Sequence, residues 1–350
     1  MELDEASIEN AFAILALYQF LDHKLSPEVV ADRRDQLEAF LRLKTARGMI
    51  ILAQEGINGT ICFPSEHKDA VMTHLLHDFP NLRTRLSYHP ENVFFRLKVR
   101  IKSEIVTLGV NATVSDPTLQ VGTYVEPGED WDTLLKDPNC LVIDTRNEYE
   151  YQVGTFHNAI NPHTHSFVDF PEWIQENMDQ MKQVTKVAMF CTGGIRCEKA
   201  TAYCMNLLKD SPHQPEIYHL KGGILGYLDT VQEEKSLFKG ECYVFDRRTA
   251  VQHGLKPSTT YVPCHACRHP LTAEDRLHPD YEEGVSCHVC IDSRQTRRER
   301  YESRQKQMKL WDTHLHDRKE RKLQNQLQRV DPATSGSNTN TGSLLIEGSI

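Results

Sequence analysis

No apolar run in this 350-residue chain approaches the length needed to cross a bilayer, which excludes a helical membrane protein. The opening residues, Met1-Glu2-Leu3-Asp4-Glu5, are acidic and lack the basic-then-apolar layout of a secretory signal. Together these absences predict a cytoplasmic protein. In a reducing compartment its ten cysteines serve metal binding or catalysis rather than disulfides. No internal repeat is visible. The apolar content of 39% is ordinary, and the length suits two or three domains. Positive charge is scarce except in one place. Residues 294–329 carry twelve Lys or Arg against five Asp or Glu, although the whole chain has a net charge of −9. An acidic body with a basic arm confines any electrostatic contact with nucleic acid to particular segments.

Hydrophobic patterning predicts an α/β and α+β multidomain chain. Residues 1–120 read as a ferredoxin-like, acylphosphatase-like sandwich of order βαββαβ. Ala13–Tyr18, Met49–Ala53 and Thr60–Phe63 are strand-like. Ser26-Pro27 opens a helix whose apolar face is Val30, Leu37, Phe40 and Leu41, and Ser65 is expected to cap a second helix. Residues 121–245 alternate strand and helix, as a parallel sheet requires. Residues 246–330 form a cysteine-rich lobe leading into a basic, helix-prone arm. Residues 331–350 have the composition of a disordered tail.

Cys191 is the residue with most chemical content. It ends the apolar run Lys186–Phe190 and opens Cys191-Thr192-Gly193-Gly194-Ile195-Arg196, followed by a helical pattern. A thiol on a glycine-bearing loop at a helix N-terminus faces backbone N–H groups, which favour the thiolate. The alternative is a small cysteine packed on a turn. Four residues separate Cys191 from Arg196, a tighter loop than the five of cysteine phosphatases, suited to a sulfur- or oxygen-sized group. Arg196 either closes the loop and adds charge or pairs with a neighbouring acid. Cys197 is read as a residue packed on the first helical turn, with a resolving thiol as the other possibility. Cys62, Cys140, Cys204 and Cys242 lack partner spacing and read as packing residues.

The segments Asp144–Glu150, Gly154–Pro162 and Cys191–Arg196 resemble a rhodanese domain. Taken with Glu55-Gly56-Ile57-Asn58-Gly59-Thr60, His219–Leu225 and Gly240–Asp246, the chain resembles the rhodanese-containing tRNA uridine-34 hydroxylase family over roughly residues 12–310. The resemblance implies formation of 5-hydroxyuridine in the tRNA anticodon loop, with dioxygen as co-substrate and an unidentified reductant. It also implies that Cys191 is the nucleophile, as a thiolate or a persulfide, and that Asp144 and Arg146 line or brace the site. The competing reading is a sulfurtransferase that moves sulfane sulfur through a Cys191 persulfide.

Two further clusters point to partners. Arg96, Lys98, Arg100 and Lys102 alternate with Leu97, Val99 and Ile101, so a strand here puts four cations on one face and the apolar residues in the core. These cations are candidate RNA-phosphate contacts, or simply a solvated strand edge. Arg294, Arg297, Arg298, Arg300 and Arg304 recur at helical spacing and are a second candidate. Cys264-x-x-Cys267 and Cys287-x-x-Cys290 have the spacing of a four-thiolate structural metal site, which suits zinc and would also accept iron.

Overall fold

The computed structural model describes residues 11–306. The end of the basic arm and the tail expected over residues 331–350 lie outside that range. The described residues divide into two compact units, one ending at Leu277 and the other beginning at His278.

Within the first unit the N-terminal sheet forms as its patterning dictates. Strand β1 (Phe12–Phe20) is followed by helix α1 (Pro27–Leu43), β2 (Arg47–Ala53), β3 (Gly56–Pro64), helix α2 (Lys68–Asp78), β4 (Arg83–His89) and β5 (Leu97–Ile101). The strand order is β4-β1-β3-β2-β5. The first four strands are antiparallel and give the ferredoxin-like arrangement; β5 adds parallel to β2 at the edge. Ser26 caps α1 and Pro27 holds its first position, where no N–H is missed. Val30, Leu37 and Leu41 of α1 then bury against Leu15, Ile50 and Val99 of the sheet. Ser65 does not cap α2. Its N–H bonds Ala11, which keeps it in the sheet ladder, and a 3-10 turn over Ser65–His67 intervenes.

The second sheet is parallel. Its elements are β6 (Thr123–Val125), helix α3 (Glu129–Lys136), β7 (Cys140–Asp144), helix α4 (Glu148–Val153), β8 (Lys186–Phe190), helix α5 (Ile195–Leu208), β9 (Glu216–Leu220) and helix α6 (Gly223–Thr230). The order β6-β9-β8-β7 puts β8 in the interior, flanked by partners on both sides. Val187, Ala188, Met189 and Phe190 are all buried, so β8 has no solvent face. Phe190 sits 6.1 Å from the Trp131 ring and 4.9 Å from Phe156, both edge-on. Burying a side chain of this size contributes roughly 1.5–3 kcal/mol, so the residue before Cys191 is firmly anchored. No helix among the described residues is long and apolar enough to cross a membrane.

Residues 294–306 of the second unit are helical, as the charge spacing predicts. Glu282 holds Arg294 at 2.8 Å and Arg298 at 2.5 Å, Arg297 donates to Ser293 Oγ at 2.5 Å and Arg304 to Arg300 O at 3.2 Å, so four of the five candidate arginines are engaged within the unit.

Candidate functional site

The loop after β8 turns sharply into α5. Gly194 occupies the left-handed region (φ 101°) and is the N-cap of the helix. That conformation, natural to glycine, aims its N–H at the Cys191 Sγ at 3.0 Å. Thr192, Gly193 and Ile195 complete the turn, and a Cβ placed on Gly193 would meet no atom within 4 Å. The loop carbonyls are held from behind by α6. Ile224 N–H donates to Cys191 O (2.9 Å) and Leu225 N–H to Thr192 O (3.0 Å). Gly223 lies against these carbonyls; a Cβ there would stand 2.5 Å from Cys191 O, so only glycine fits. Gly223 is thereby explained as the bed of the Cys191 loop, whereas a Cβ on Gly222 would meet Arg85.

Arg196 does close the loop, and it does so by pairing with an acid. Its guanidinium makes two 2.7 Å bonds to Glu150 on α4 and a 3.2 Å bond to Thr192 Oγ1. Glu150 is fully buried, and Arg196 is 8% exposed. Burial alone would push the Glu150 carboxyl up, but the Arg196 charge and hydrogen bonds hold it below the usual carboxylate range. The sequence reading left this partner unnamed, although Glu150 stands inside the segment it quoted. Asp144 and Arg146 form a second buried pair, bonded at 2.7 and 2.9 Å. Arg146 also reaches Gly154 O, and Thr155 bonds Asp144. They brace the end of β7, and no hydrogen bond joins them to Cys191 among the described residues.

Cys191 is 1% exposed. Burial pushes its thiol up. The hydrogen bond from the Cys197 thiol, the Arg196 guanidinium and the N–H groups of Cys197 and Gly194 outweigh that and bring it down to about 6. Cys197 packs on the first turn of α5, where burial and the neighbouring sulfur push it well up. Cys62 is pushed up to about 11, and Cys140, Cys204 and Cys242 to about 12, each chiefly by burial. These four therefore pack as thiols, and Cys191 is set apart from them by its loop.

The N-terminal domain lies over this loop. Tyr18 on β1 donates to Glu198 Oε1 on α5 at 2.7 Å. Its hydroxyl is 3.1 Å from where a Gly194 Cβ would be. Lys199, 2% exposed, bridges Glu55 (2.8 Å) and Glu104 (2.6 Å). Arg83 reaches the Tyr124 hydroxyl at 2.7 Å, and Arg85 pairs with Asp229 at 2.5 Å. Tyr18 and Arg83 escaped the sequence reading, and Glu198 and Lys199, directly after Cys197, received no role in it. Nothing in a linear pattern says that β1 and β4 meet α5.

This docking divides the sheet face opposite α1. The face opposite α1 is covered along β1 and β4 and remains exposed toward β2 and β5. Leu97 and Val99 are buried, but Ile101 is 47% exposed because β5 ends there at the sheet edge. Arg96 and Lys102 flank the strand rather than belong to it. Lys98 and Arg100 stand beside Met49 and Ile51 of β2 in register, and the exposed Arg47 shares that face, a cation that the sequence reading missed.

In the first unit a short hairpin, Val262–Pro263 with Pro270–Leu271, frames Cys264 and Cys267. In the second, Cys287 and Cys290 Sγ atoms are 3.8 Å apart. The four cysteines could hold a metal ion, and a set of four thiolates is a donor set that zinc accepts.

Residues 12–105 match the family model of the UPF0176 acylphosphatase-like domain, and residues 129–230 match the rhodanese-like domain. This order of two domains is the arrangement of the UPF0176 family. Among solved structures, the chain is similar to a Saccharomyces cerevisiae homolog of single-domain rhodanese and the Cdc25 phosphatase catalytic domain. The identity is 15%, with 36% of this chain and 92% of that one covered and a TM-score of 0.29. It is also similar to a Rhodopseudomonas palustris protein of unknown function described as a possible tyrosine phosphatase, at 16% identity. There 35% of this chain and 92% of that one are covered, with a TM-score of 0.22.

Proposed function

We propose that this chain, a UPF0176 acylphosphatase-like domain joined to a rhodanese-like domain, hydroxylates uridine 34 of tRNA to 5-hydroxyuridine. The observation that carries the reading is a thiolate-favouring Cys191 on a loop roofed by a domain whose outer edge carries Arg47, Arg96, Lys98, Arg100 and Lys102. The cations would contact RNA phosphates, and an anticodon loop already exposes its bases, so turning the wobble uridine inward costs little. Uracil C5 is a weak nucleophile until an anion adds at C6. Addition of the Cys191 thiolate there makes an enolate that dioxygen can attack. Dioxygen supplies the new hydroxyl oxygen; a two-electron reductant and two protons convert the other oxygen atom to water, and loss of the C5 proton with cleavage of the C6–sulfur bond restores the ring double bond and frees the Cys191 thiolate. Loop N–H groups stabilise the charge that develops. Because Cys191 is buried in this state, the N-terminal domain must part from the loop to admit a base. A persulfide on Cys191 would carry the reactive sulfur outward by about 2 Å, one sulfur–sulfur bond. The four cysteines Cys264, Cys267, Cys287 and Cys290 would hold a structural zinc, with no open position for chemistry.

The second reading is a sulfurtransferase working through a Cys191 persulfide, favoured by the four-residue loop and the ionised thiol. Mass spectrometry of wobble nucleosides from cells with the protein, without it, and with Cys191→Ser tests the first reading. Loss of 5-hydroxyuridine in the latter two supports it; unchanged levels refute it. Thiosulfate-to-cyanide transfer by the purified protein tests the second.

A further inference from the structure

The cation stripe from Arg96 to Lys102 contains no aromatic residue, so in sequence it offers contacts for phosphates and none for a base. Folding supplies one. The segment before β5 crosses the sheet face opposite α1. Val93 and Phe94 pack there on Ile14 and Cys62, which alternate with the residues buried against the helix. Four hydrogen bonds fasten the segment. Asn92 donates to Cys62 O (3.2 Å), Phe94 N–H to Asn92 Oδ1 (3.1 Å), Arg247 N–H to Val93 O (3.1 Å) and Arg47 to Phe94 O (3.4 Å). Phe95 is left pointing outward, 63% exposed, and the Arg247 guanidinium stands over its ring at 4.9 Å from the centroid. One exposed ring is ordinary on a protein surface, but this one is rigidly presented beside cations. Arg47 is in register with Cys62, and Lys98 with the exposed Met49, so the cations and the packed segment share one face. Glu91 is the only acid in residues 89–100, and Asp246, next to Arg247, is held by Arg248 at 2.6 Å.

We propose that Phe95 is a base-stacking platform for single-stranded RNA, set in the face whose cations hold the phosphates. An unpaired base lies on the open side of the ring, and Arg247 backs the other side. Because every base has a π-face, the platform tolerates any sequence. A paired stem keeps its bases stacked on one another and presents only phosphates, hydroxyls and edges, so it can use the cations but not the ring. The face therefore tells a loop from a stem, which cations alone do not do. Fastening of the segment keeps the ordering cost of binding low. This inference rests on the RNA reading of the proposed function and adds that an unpaired nucleotide, rather than the stem, is what this edge recognises.

The test is fluorescence anisotropy of the full chain with two labelled RNAs, an anticodon stem-loop and a fully paired duplex of the same length, over a range of salt. Phe95→Leu keeps an apolar side chain and removes the ring. It should weaken the stem-loop by about fivefold to a hundredfold, leave the duplex unchanged and leave the salt slope unchanged. Phe95→Trp should retain the wild-type preference for the loop. Arg47→Gln should weaken both RNAs and reduce the salt slope by about 1. If Phe95→Leu binds the stem-loop as the wild type does, or loses both RNAs equally as a merely structural ring would, the inference is overturned. Absence of RNA binding by the wild type overturns it too, and leaves an acidic protein as the partner for the cations. The proposed function fails separately. Phe95-dependent loop binding in a protein that leaves cellular 5-hydroxyuridine unchanged when deleted upholds the platform and refutes the hydroxylase. Normal stem-loop binding by Phe95→Leu with Cys191-dependent 5-hydroxyuridine does the reverse.

Discussion

Replacing Glu150 by alanine isolates the contact that closes the Cys191 loop. The two 2.7 Å bonds between Glu150 and Arg196 are both buried, and the Arg196 guanidinium is 8% exposed. Removing one partner of a buried pair leaves an uncompensated charge, at a cost of about 3–5 kcal/mol. Glu150 also accepts from Thr192 and from the N–H of Asn147 at the start of α4, so the loop and the helix cap loosen together. At about 2–4 °C per kcal/mol, the midpoint for the domain falls by roughly 6–20 °C. Thermal and urea unfolding followed by far-ultraviolet circular dichroism measure this. The double variant Glu150→Leu with Arg196→Met should recover most of the stability, because no charge is left buried, yet remain inactive. A loss under about 1 kcal/mol for Glu150→Ala would show that Arg196 finds water or another acid, and the loop-closing argument would fail.

Three other outcomes follow from the same geometry. The Cys191 thiol is depressed from 9.0 to about 6, so the folded state binds fewer protons between those values and stability rises with pH across that window. The contribution is at most about 1.4 kcal/mol per pH unit, is lost as pH falls through 6, and should vanish in Cys191→Ser when urea midpoints are compared across pH. Lys199→Met strands Glu55 and Glu104 around an apolar side chain and should destabilise the domain junction by several kcal/mol, read by chemical denaturation; a neutral result would show that junction to be solvated. Metal analysis of the purified protein should find one zinc per chain, lost in Cys264→Ser and Cys287→Ser with Cys191 still ionised. Metal retained by both variants would refute the four-cysteine assignment.

Much of the architecture is legible because period and punctuation are local properties. The alternation in β1, the Ser26-Pro27 start of α1 and the unbroken apolar run of β8 each follow from a few neighbouring residues. Ser65 misleads for an equally physical reason: a tertiary strand pairing with Ala11 claims its backbone before a helix can use its side chain. The stripe around β5 is half legible. Alternation predicts which residues oppose one another, but Ile101 lies beyond the last covered position, and no pattern tells where cover ends.

The same division runs through the site. Spacing by itself determined that Cys191 stands on a short glycine-bearing turn at a helix start with Arg196 at its far end, because strand, turn and helix are written in consecutive residues. Only the tertiary structure decided which acid Arg196 meets, that Gly223 supports the loop carbonyls, and that Tyr18, Glu55 and Arg83 from another domain close over α5. Those partners lie up to 180 residues apart. Their meeting depends on how two sheets dock, and docking is set by surfaces that exist only after each sheet has folded.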